Sequence, residues 1–394
     1  MKSNVSEKAK VMGKRTFVLS ILLVVLLVAC TSQTSTPTPP PPTATQIPKP
    51  TPSPSPTAVP TLASLPEGSS PEFLQKPSAQ HIRVMSFNPG WDSIFPDADP
   101  LNDQWRSDSK PAEFVRIVKA IDPDIICLQE INPARDPQQV GSILDAAVPL
   151  GNGKTWQTHS GQDNVIAARF DLLMRADQLA RHGRYITNLG HALALVDLPD
   201  ADHEDDLYLI CAHFQSKGGQ DNIEARQEHA DAIIRWIRDI RTPGDEIDLP
   251  ANTPIVVLGD LNVYDTDPAY HLTTLLTGDI VNESEYGADI APDWDDTSLA
   301  DALPHHNAGG DDVYTWRDDA QEFNPGVLDR ILYTDSVVAV SHAFVLNTAI
   351  MTEAELEGAG LRAGDVMLDP ETGRYDHLPL VVDIVFRGNV RDDG

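Results

Sequence analysis

Residues Thr253–Tyr264 read TPIVVLGDLNVY, and the rest of the chain is best read outward from them. Ile255–Leu258 is a short apolar run rich in β-branched residues, as expected of a strand buried on both faces. Gly259 lets the backbone turn, and Asp260 and Asn262 follow at alternate positions. On an extended backbone that spacing sends both side chains the same way. A carboxylate and an amide then leave the core together at the C-terminal end of a strand, where open α/β sheets place their sites. A plain polar turn after a strand accounts for many such triplets, so the weight falls on what the other segments do.

They repeat the pattern. Ile82–Asn88 (IRVMSFN) reads as a strand that ends in Asn88. Phe114, Ile117, Val118 and Ile121 recur at helical spacing, with Pro111 in the first turn of the helix they define and Asp122-Pro123 stopping it. Asp124–Leu128 is a near-continuous apolar strand with Glu130 just past its end. Asn164–Ala168 follows Gly161-Gln162-Asp163, and Leu207–Ala212 delivers His213. Ile223–Ile240 is a long helix whose isoleucines share a face, with Arg226, Glu228 and Asp231 in its more polar surroundings. Asp265–Gly326 is acidic and loop-rich, with a helical piece at Tyr270–Leu276. Val327–Tyr333 carries Asp329, and Asp376-His377 leads into a last strand, Leu378–Val385. Buried strands alternating with helices give an α/β fold.

The ends of the chain differ from this body. Met1–Cys30 reads as an export signal: Lys8, Lys10, Lys14 and Arg15 precede an apolar run, Phe17–Val28, that is short for a membrane span. It closes in Leu27-Val28-Ala29-Cys30, which resembles a bacterial lipoprotein box and implies cleavage before Cys30 and acylation of its thiol. An ordinary signal peptide or short anchor is the alternative. The following Pro/Thr/Ser-rich stretch lacks the apolar side chains needed to fold and reads as an extended spacer. The expected organisation is a signal at 1–30, a spacer at 31–80, a catalytic body at 81–388 and a tail at 389–394. The expected location is the membrane surface facing the periplasm or exterior.

Within the body, Cys127 and Cys211 lie in apolar strands and are read as two buried free thiols; a disulfide requires those strands to be neighbours. No Cys/His spacing fits zinc. The formal net charge of -30 argues against a broad basic surface for gripping nucleic acid. A phosphate-handling site in so acidic a protein needs a bound cation.

Asn88, Glu130, His213, Asp260, Asn262, Asp329, Asp376 and His377 all fall at strand ends. Each alone is a satisfied structural group or a solvated cap; together they suit metal-assisted hydrolysis of a phosphate ester. A hard divalent cation takes oxygen ligands such as Glu130 and Asp376. A His held by a carboxylate, as His377 by Asp329, suits deprotonating water near neutral pH. Asn88 and Asn262 donate hydrogen bonds without adding negative charge.

The segments PDIICLQE (123–130), AHFQSKGG (212–219), PIVVLGDLNVY (254–264), LDRILY (328–333) and YDHLPLV (375–381) resemble the ordered motifs of the endonuclease/exonuclease/phosphatase superfamily. The resemblance spans Ile82 to Phe386. It implies a four-layer sandwich of two packed mixed β-sheets with helices on both outer faces. It implies Mg²⁺ or Mn²⁺ on Glu130, with Asn88 and Asp376 close by. His377, paired with Asp329, would activate water or contact the scissile phosphate. Asp260 would orient the nucleophile or help protonate the leaving oxygen, and Asn262 would bind phosphate. His213 would touch a non-bridging oxygen, with Asp163 its partner. Three positions depart from the pattern: Tyr375 where Ser is frequent, Arg330 where an aromatic is frequent, and GDLNVY without the flanking aromatics of inositol-phosphate phosphatases.

Lys217 and Arg226 are read either as phosphate contacts or as a loop cation and a solvated helix face. His305-His306 with Asp311–Asp319 offers ligands for a second cation such as Ca²⁺, but no EF-hand-like ladder is present and a solvated acidic loop is preferred. The expected function is an exported, membrane-anchored phosphodiesterase, foremost a nuclease. The alternatives are a phospholipase C or sphingomyelinase-like enzyme or phosphomonoesterase, with Trp91, Trp294 and Trp316 as lipid-facing loop residues, then a non-catalytic binding module. Its partners are then a nucleic acid or lipid head-group phosphodiester and a membrane, with no protein partner and a monomeric state. A solute-binding lipoprotein fits the leader but leaves the strand-end residues unexplained.

Overall fold

The computed structural model describes residues 70–389, apart from 98–108, 182–183, 204, 245–246, 265–269, 319–323 and 370–373. The signal, Cys30, most of the spacer and most of the tail lie outside the described residues.

The first half of the body comprises β1 (Ile82–Phe87), α1 (Pro111–Ile121), β2 (Ile125–Leu128), α2 (Gln138–Ala147), β3 (Gln157–Gly161), β4 (Asn164–Ala168), β5 (Asp171–Arg181) and β6 (Arg184–Asp197). The second half runs β7 (Leu207–His213), α3 (Gln220–Arg241), β8 (Ile255–Asp260), α4 (Tyr270–Thr277), α5 (Glu283–Tyr286), β9 (Ala300–Ala302), β10 (Asp329–Tyr333) and β11 (Val338–Val345). It closes with α6 (Glu353–Ala359), β12 (Met367–Asp369), β13 (Arg374–Tyr375) and β14 (Leu380–Phe386). Two mixed 6-stranded sheets result, ordered β11-β14-β1-β2-β4-β3 and β5-β6-β7-β8-β10-β9, with β12 and β13 as a separate pair.

The alternation of side chains along each strand assigns the layers. Leu207, Leu209 and Cys211 of β7 and Val256 and Leu258 of β8 join the first sheet's Val84, Ile126 and Val382 in one core cluster. The intervening Tyr208, Ile210, Ala212, Ile255 and Val257 pack instead with Ile233, Ile234 and Ile237 of α3. Both faces of the central strands are therefore apolar, which is why they read as continuous hydrophobic runs. Phe114, Ile117, Val140 and Leu144 place α1 and α2 with the first sheet's core. The expected four-layer α/β sandwich is the observed fold.

Two expectations change. Cys127 and Cys211 form a disulfide rather than two free thiols. Their strands belong to different sheets, and face-to-face packing makes neighbours of residues that no pairing pattern in the sequence connects. The packed body also begins before residue 81. Leu74 is buried in a short helical turn, and its carbonyl accepts a hydrogen bond from Arg83 Nη1 at 2.7 Å. Arg83 is itself buried and holds Asp383 through both carboxylate oxygens at 2.7 Å. A guanidinium sunk between strands needs every donor satisfied, and Leu74 supplies one acceptor.

Candidate active site

The strand-end residues converge. Parallel pairing of β7 with β8 sets His213 beside Asp260, and antiparallel pairing of β10 with β8 sets Asp329 on its other side. From the facing sheet, Asn88 follows β1 and Glu130 follows β2. His377 arrives on the segment before β14, which is fixed because His377 bridges Trp316 and Leu378 donates its N–H to Thr315 O at 2.7 Å.

Asp260 is the hub. Its Oδ2 lies 3.2 Å from Asn88 Nδ2, 3.5 Å from His213 Nε2 and 3.4 Å from His377 Nε2. Each imidazole is backed by its own carboxylate: His213 Nδ1 lies 2.7 Å from Asp163 Oδ2, and His377 Nδ1 lies 2.8 Å from Asp329 Oδ2. Asn88 Nδ2 also reaches Glu130 Oε1 at 3.1 Å, so one amide joins Glu130 to the hub. The other Asp260 oxygen accepts the Asn262 backbone N–H at 3.0 Å.

Local backbone makes this geometry. Gly259 has φ 140°, and a Cβ there would stand 1.8 Å from Ala212 O, so only glycine permits the close approach of β8 to β7 beneath the hub. Glu130 and Asn262 adopt left-handed conformations, φ 58° and 51°, uncommon for side-chain-bearing residues and concentrated at functional turns. The Glu130 turn is tied down by Asp92 N–H to Glu130 O and Ile131 N–H to Asp163 O, both at 3.0 Å.

Electrostatics follow from burial and crowding. Burial alone would lower the His213 pKa, but the charge and hydrogen bond of Asp163, then Asp260 and Glu130, lift it to about 10. Burial likewise opposes the charge on His377, yet Asp329, Asp260 and Asp376 hold its pKa well above the ordinary value. Burial pushes Glu130 upward; His213 offsets part of this and Asp376 adds to it. Burial also raises Asp260, against the pull of His377. The surrounding carboxylates thus favour the protonated form of both imidazoles, whose Nε2 atoms converge on Asp260.

Burial, and then neighbouring carboxylates, oppose the charge on Glu130 and Asp260, and a cation placed among them would relieve that. Glu130 and Asp376, with the Asn88 amide beside them, offer the hard oxygen donors that a small divalent cation takes. Asp260, Asp329 and His377 also present ligand atoms within 4.8 Å of one another. There, however, His377 Nδ1 and Asp329 Oδ2 are bound to each other, and Asp260 Oδ1 is taken by Asn262. The site is therefore acidic and chemically suited to a metal; Glu130 and Asp376 each have one oxygen engaged, by Asn88 and by Trp316, and each keeps a second to offer.

Sequence reasoning missed several supporting groups. Tyr264 donates its hydroxyl to Asn262 Oδ1 at 2.8 Å and accepts the Lys217 N–H at 3.1 Å. Its place two residues beyond Asn262, on the same side of an extended chain, was the available signal. Trp316 donates to Asp376 Oδ1 at 3.0 Å and Trp294 to Thr253 O at 2.7 Å, so both indoles are half-buried and anchored at the ring nitrogen. Arg226 is fully buried and donates to Gln215 O at 3.0 Å and Lys217 O at 2.8 Å. It braces the His213 loop and is neither solvated nor a phosphate contact. His306 is buried on Tyr314 O at 2.8 Å, and Arg330 pairs with Asp301 at 2.8 Å, so neither joins the site.

A sequence model of the Endonuclease/Exonuclease/phosphatase family matches residues 86–351. The chain belongs to that family. As a member it is a phosphoester hydrolase, and the match covers Asn88, Glu130, Asp163, His213, Asp260, Asn262 and Asp329. No curated protein matches the chain. Solved structures similar to this family member include the endonuclease/exonuclease/phosphatase from Bacteroides vulgatus, 20% identical, covering 78% of this chain and 99% of that one at a TM-score of 0.48. The human Nocturnin catalytic domain with bound sulfate is 17% identical, covering 80% and 99% at 0.47. D. rerio TDP2 complexed with single-strand DNA product is 15% identical, covering 77% and 99% at 0.45.

Proposed function

We propose that the chain is an exported, membrane-anchored, Mg²⁺- or Mn²⁺-dependent phosphodiesterase, and foremost a nuclease. The observation that carries the chemistry is the pair of carboxylate-backed imidazoles facing one another across Asp260. Glu130 and Asp376, with Asn88 beside them, would hold the cation, which when bound neutralises charge on the phosphoryl oxygens. His213 and His377 donate hydrogen bonds to the phosphate while protonated. Asp329 fixes His377 so that Nε2 faces the reacting atoms and, once neutral, takes a proton from water. Asp260 accepts that proton's hydrogen bond or returns one to the leaving oxygen, as its raised pKa allows. Asn262, set by Tyr264 and by donating to Phe214 O at 3.0 Å, holds the turn on which the hub sits.

The nuclease reading is supported by the cleft beside His213. It has a volume of about 360 Å³, and Trp91, Pro133, Gln162, Gln215, Ser216 and His229 are among its lining residues. Trp91 and Phe214 with amide and hydroxyl partners suit a planar heterocycle carried by one ester arm. The Met1–Cys30 leader supports export and acylation of Cys30.

The test is a substrate panel for the purified full chain with Mg²⁺: single-stranded DNA, double-stranded DNA, sphingomyelin, phosphatidylcholine and a phosphomonoester. Preferred cleavage of DNA, reduced in Trp91→Ala, is expected. Preference for a phospholipid would transfer the assignment to the phospholipase C-like alternative. Folded protein inactive on all of them would sink the phosphodiesterase reading.

A further inference from the structure

The polar groups of the site are divided between the two sheets. Asn88 and Glu130 extend from β1 and β2 of one; His213, Asp260 and Asp329 stand on β7, β8 and β10 of the other. Side chains bridge these halves at Asn88 Nδ2 to Asp260 Oδ2 (3.2 Å), at Asp163 Oδ2 to His213 Nδ1 (2.7 Å) and at Asp329 Oδ2 to His377 Nδ1 (2.8 Å), and all three are non-covalent. The disulfide also joins the two sheets. Cys127 is on β2, shortly before Glu130, and Cys211 is on β7, shortly before His213. Both cysteines are 0% exposed. The turn from Cys127 to Glu130 is also pinned, since Gln129 Nε2 donates to Cys127 Sγ at 2.9 Å and Gln129 N–H to Phe87 O at 3.3 Å.

We infer that the Cys127–Cys211 bond is a positioning device for the active site: a covalent pin between the sheets that sets where Glu130 stands relative to His213 and Asp260. The inference rests on the phosphodiesterase reading above. The hydrophobic contact between the sheets is non-directional and fixes their relative position less sharply than a covalent bond does. Catalytic geometry does not tolerate that, because a misplacement of about 1 Å removes about 10²-fold in rate. A bond across the sheets, one short step from a residue of each half, fixes the distance that packing leaves soft.

The chemistry sets where the pin forms. Two thiols become one disulfide, and the two protons and two electrons pass by thiol–disulfide exchange to a protein disulfide, which leaves as a dithiol. An oxidising compartment supplies that oxidant and a reducing cytosol does not. Once the body has folded, both sulfurs lie out of reach of an attacking thiolate. The pin is thus closed during folding and acts as a lock, not as a reversible switch. It ties catalytic competence to folding outside the cytosol, as the leader also implies.

The experiment uses the full chain in three forms: oxidised wild type, Cys127→Ser with Cys211→Ser, and Cys127→Ala with Cys211→Val, whose apolar pair preserves the core should the serines unfold it. Alkylation and mass spectrometry report the thiols. Hydrolysis of bis(p-nitrophenyl) phosphate with Mg²⁺ is then measured below the thermal midpoint of each form. Wild-type chain isolated reduced, with its thiols alkylated only after assay, repeats the comparison without substitution. The expected result is a kcat lowered about 10²-fold with KM within about threefold, in protein that is still folded. A purely structural pin predicts normal kcat wherever the variant is folded, and that result overturns the inference. Fully active wild type with two free thiols overturns it as well. An inactive oxidised wild type would instead sink the functional reading, and this inference with it.

Discussion

Replacing Asp329 by Asn tests the dyad with almost no change in shape. Asp329 is 1% exposed, its Oδ2 lies 2.8 Å from His377 Nδ1, and its backbone N–H is held by Thr315 Oγ1 at 2.9 Å. The backbone tether survives the substitution; the charge does not. Its Oδ1 is buried and finds no hydrogen-bond donor among the described residues, so nothing there directs which way an Asn amide turns. An amide N–H turned toward His377 Nδ1 drives the imidazole proton to Nε2, the face that must accept a proton. Loss of the aligned base costs about 10³-fold in kcat/KM, or about 4 kcal/mol of transition-state stabilisation. The assay is hydrolysis of bis(p-nitrophenyl) phosphate with saturating Mg²⁺, alongside thermal unfolding as a function of pH. The His377 pKa is raised in the folded state by Asp329, Asp260 and Asp376 against the effect of burial. That pair therefore adds stability below the unfolded-state value of 6.5, and the contribution fades as pH rises through the raised folded value. Asp329→Asn should be less stable than wild type at pH 6, with the gap closing in alkali. A variant within about threefold of wild-type kcat/KM, with the same pH profile, would refute the dyad.

Tyr264→Phe removes only the hydroxyl that joins Asn262 to the Lys217 loop, and kcat/KM should fall about 5-fold, with a loss of about 1 kcal/mol in urea unfolding because the buried Asn262 Oδ1 loses that donor. Gly259→Ala puts a Cβ 1.8 Å from Ala212 O at φ 140°, and urea unfolding should show a loss of about 3 kcal/mol. His213, lifted to about 10 by Asp163, Asp260 and Glu130 against burial, should stabilise metal-free wild type below pH 6.5 and lose that contribution between there and about pH 10. In Asp163→Asn the fall in thermal midpoint across that range should be much smaller, and an unchanged fall would contradict the pairing.

What the sequence disclosed follows from which forces act locally. β4 and α1 have the bounds expected of them because apolar periodicity and Pro111 are local signals. The hub was legible because Asp260, Glu130 and His213 each terminate an apolar strand. The β5–β6 hairpin escaped notice, since its long strands mix charged with apolar residues and give neither clean period. Arg226 was misplaced for a related reason. A guanidinium on an amphipathic helix suggests solvent, and only the fold shows the carbonyls of Gln215 and Lys217 that make its burial tolerable. The disulfide and the Trp316–Asp376 contact join segments remote in sequence, where pattern carries no information about distance.

The most direct measurement is Mg²⁺-restored turnover of bis(p-nitrophenyl) phosphate by protein stripped with EDTA, for wild type and His377→Ala side by side. Wild type should be inactive when stripped and active once Mg²⁺ returns, with His377→Ala folded and at least about 10²-fold slower. Turnover that ignores the metal, or a His377→Ala variant as fast as wild type, would contradict the proposed centre.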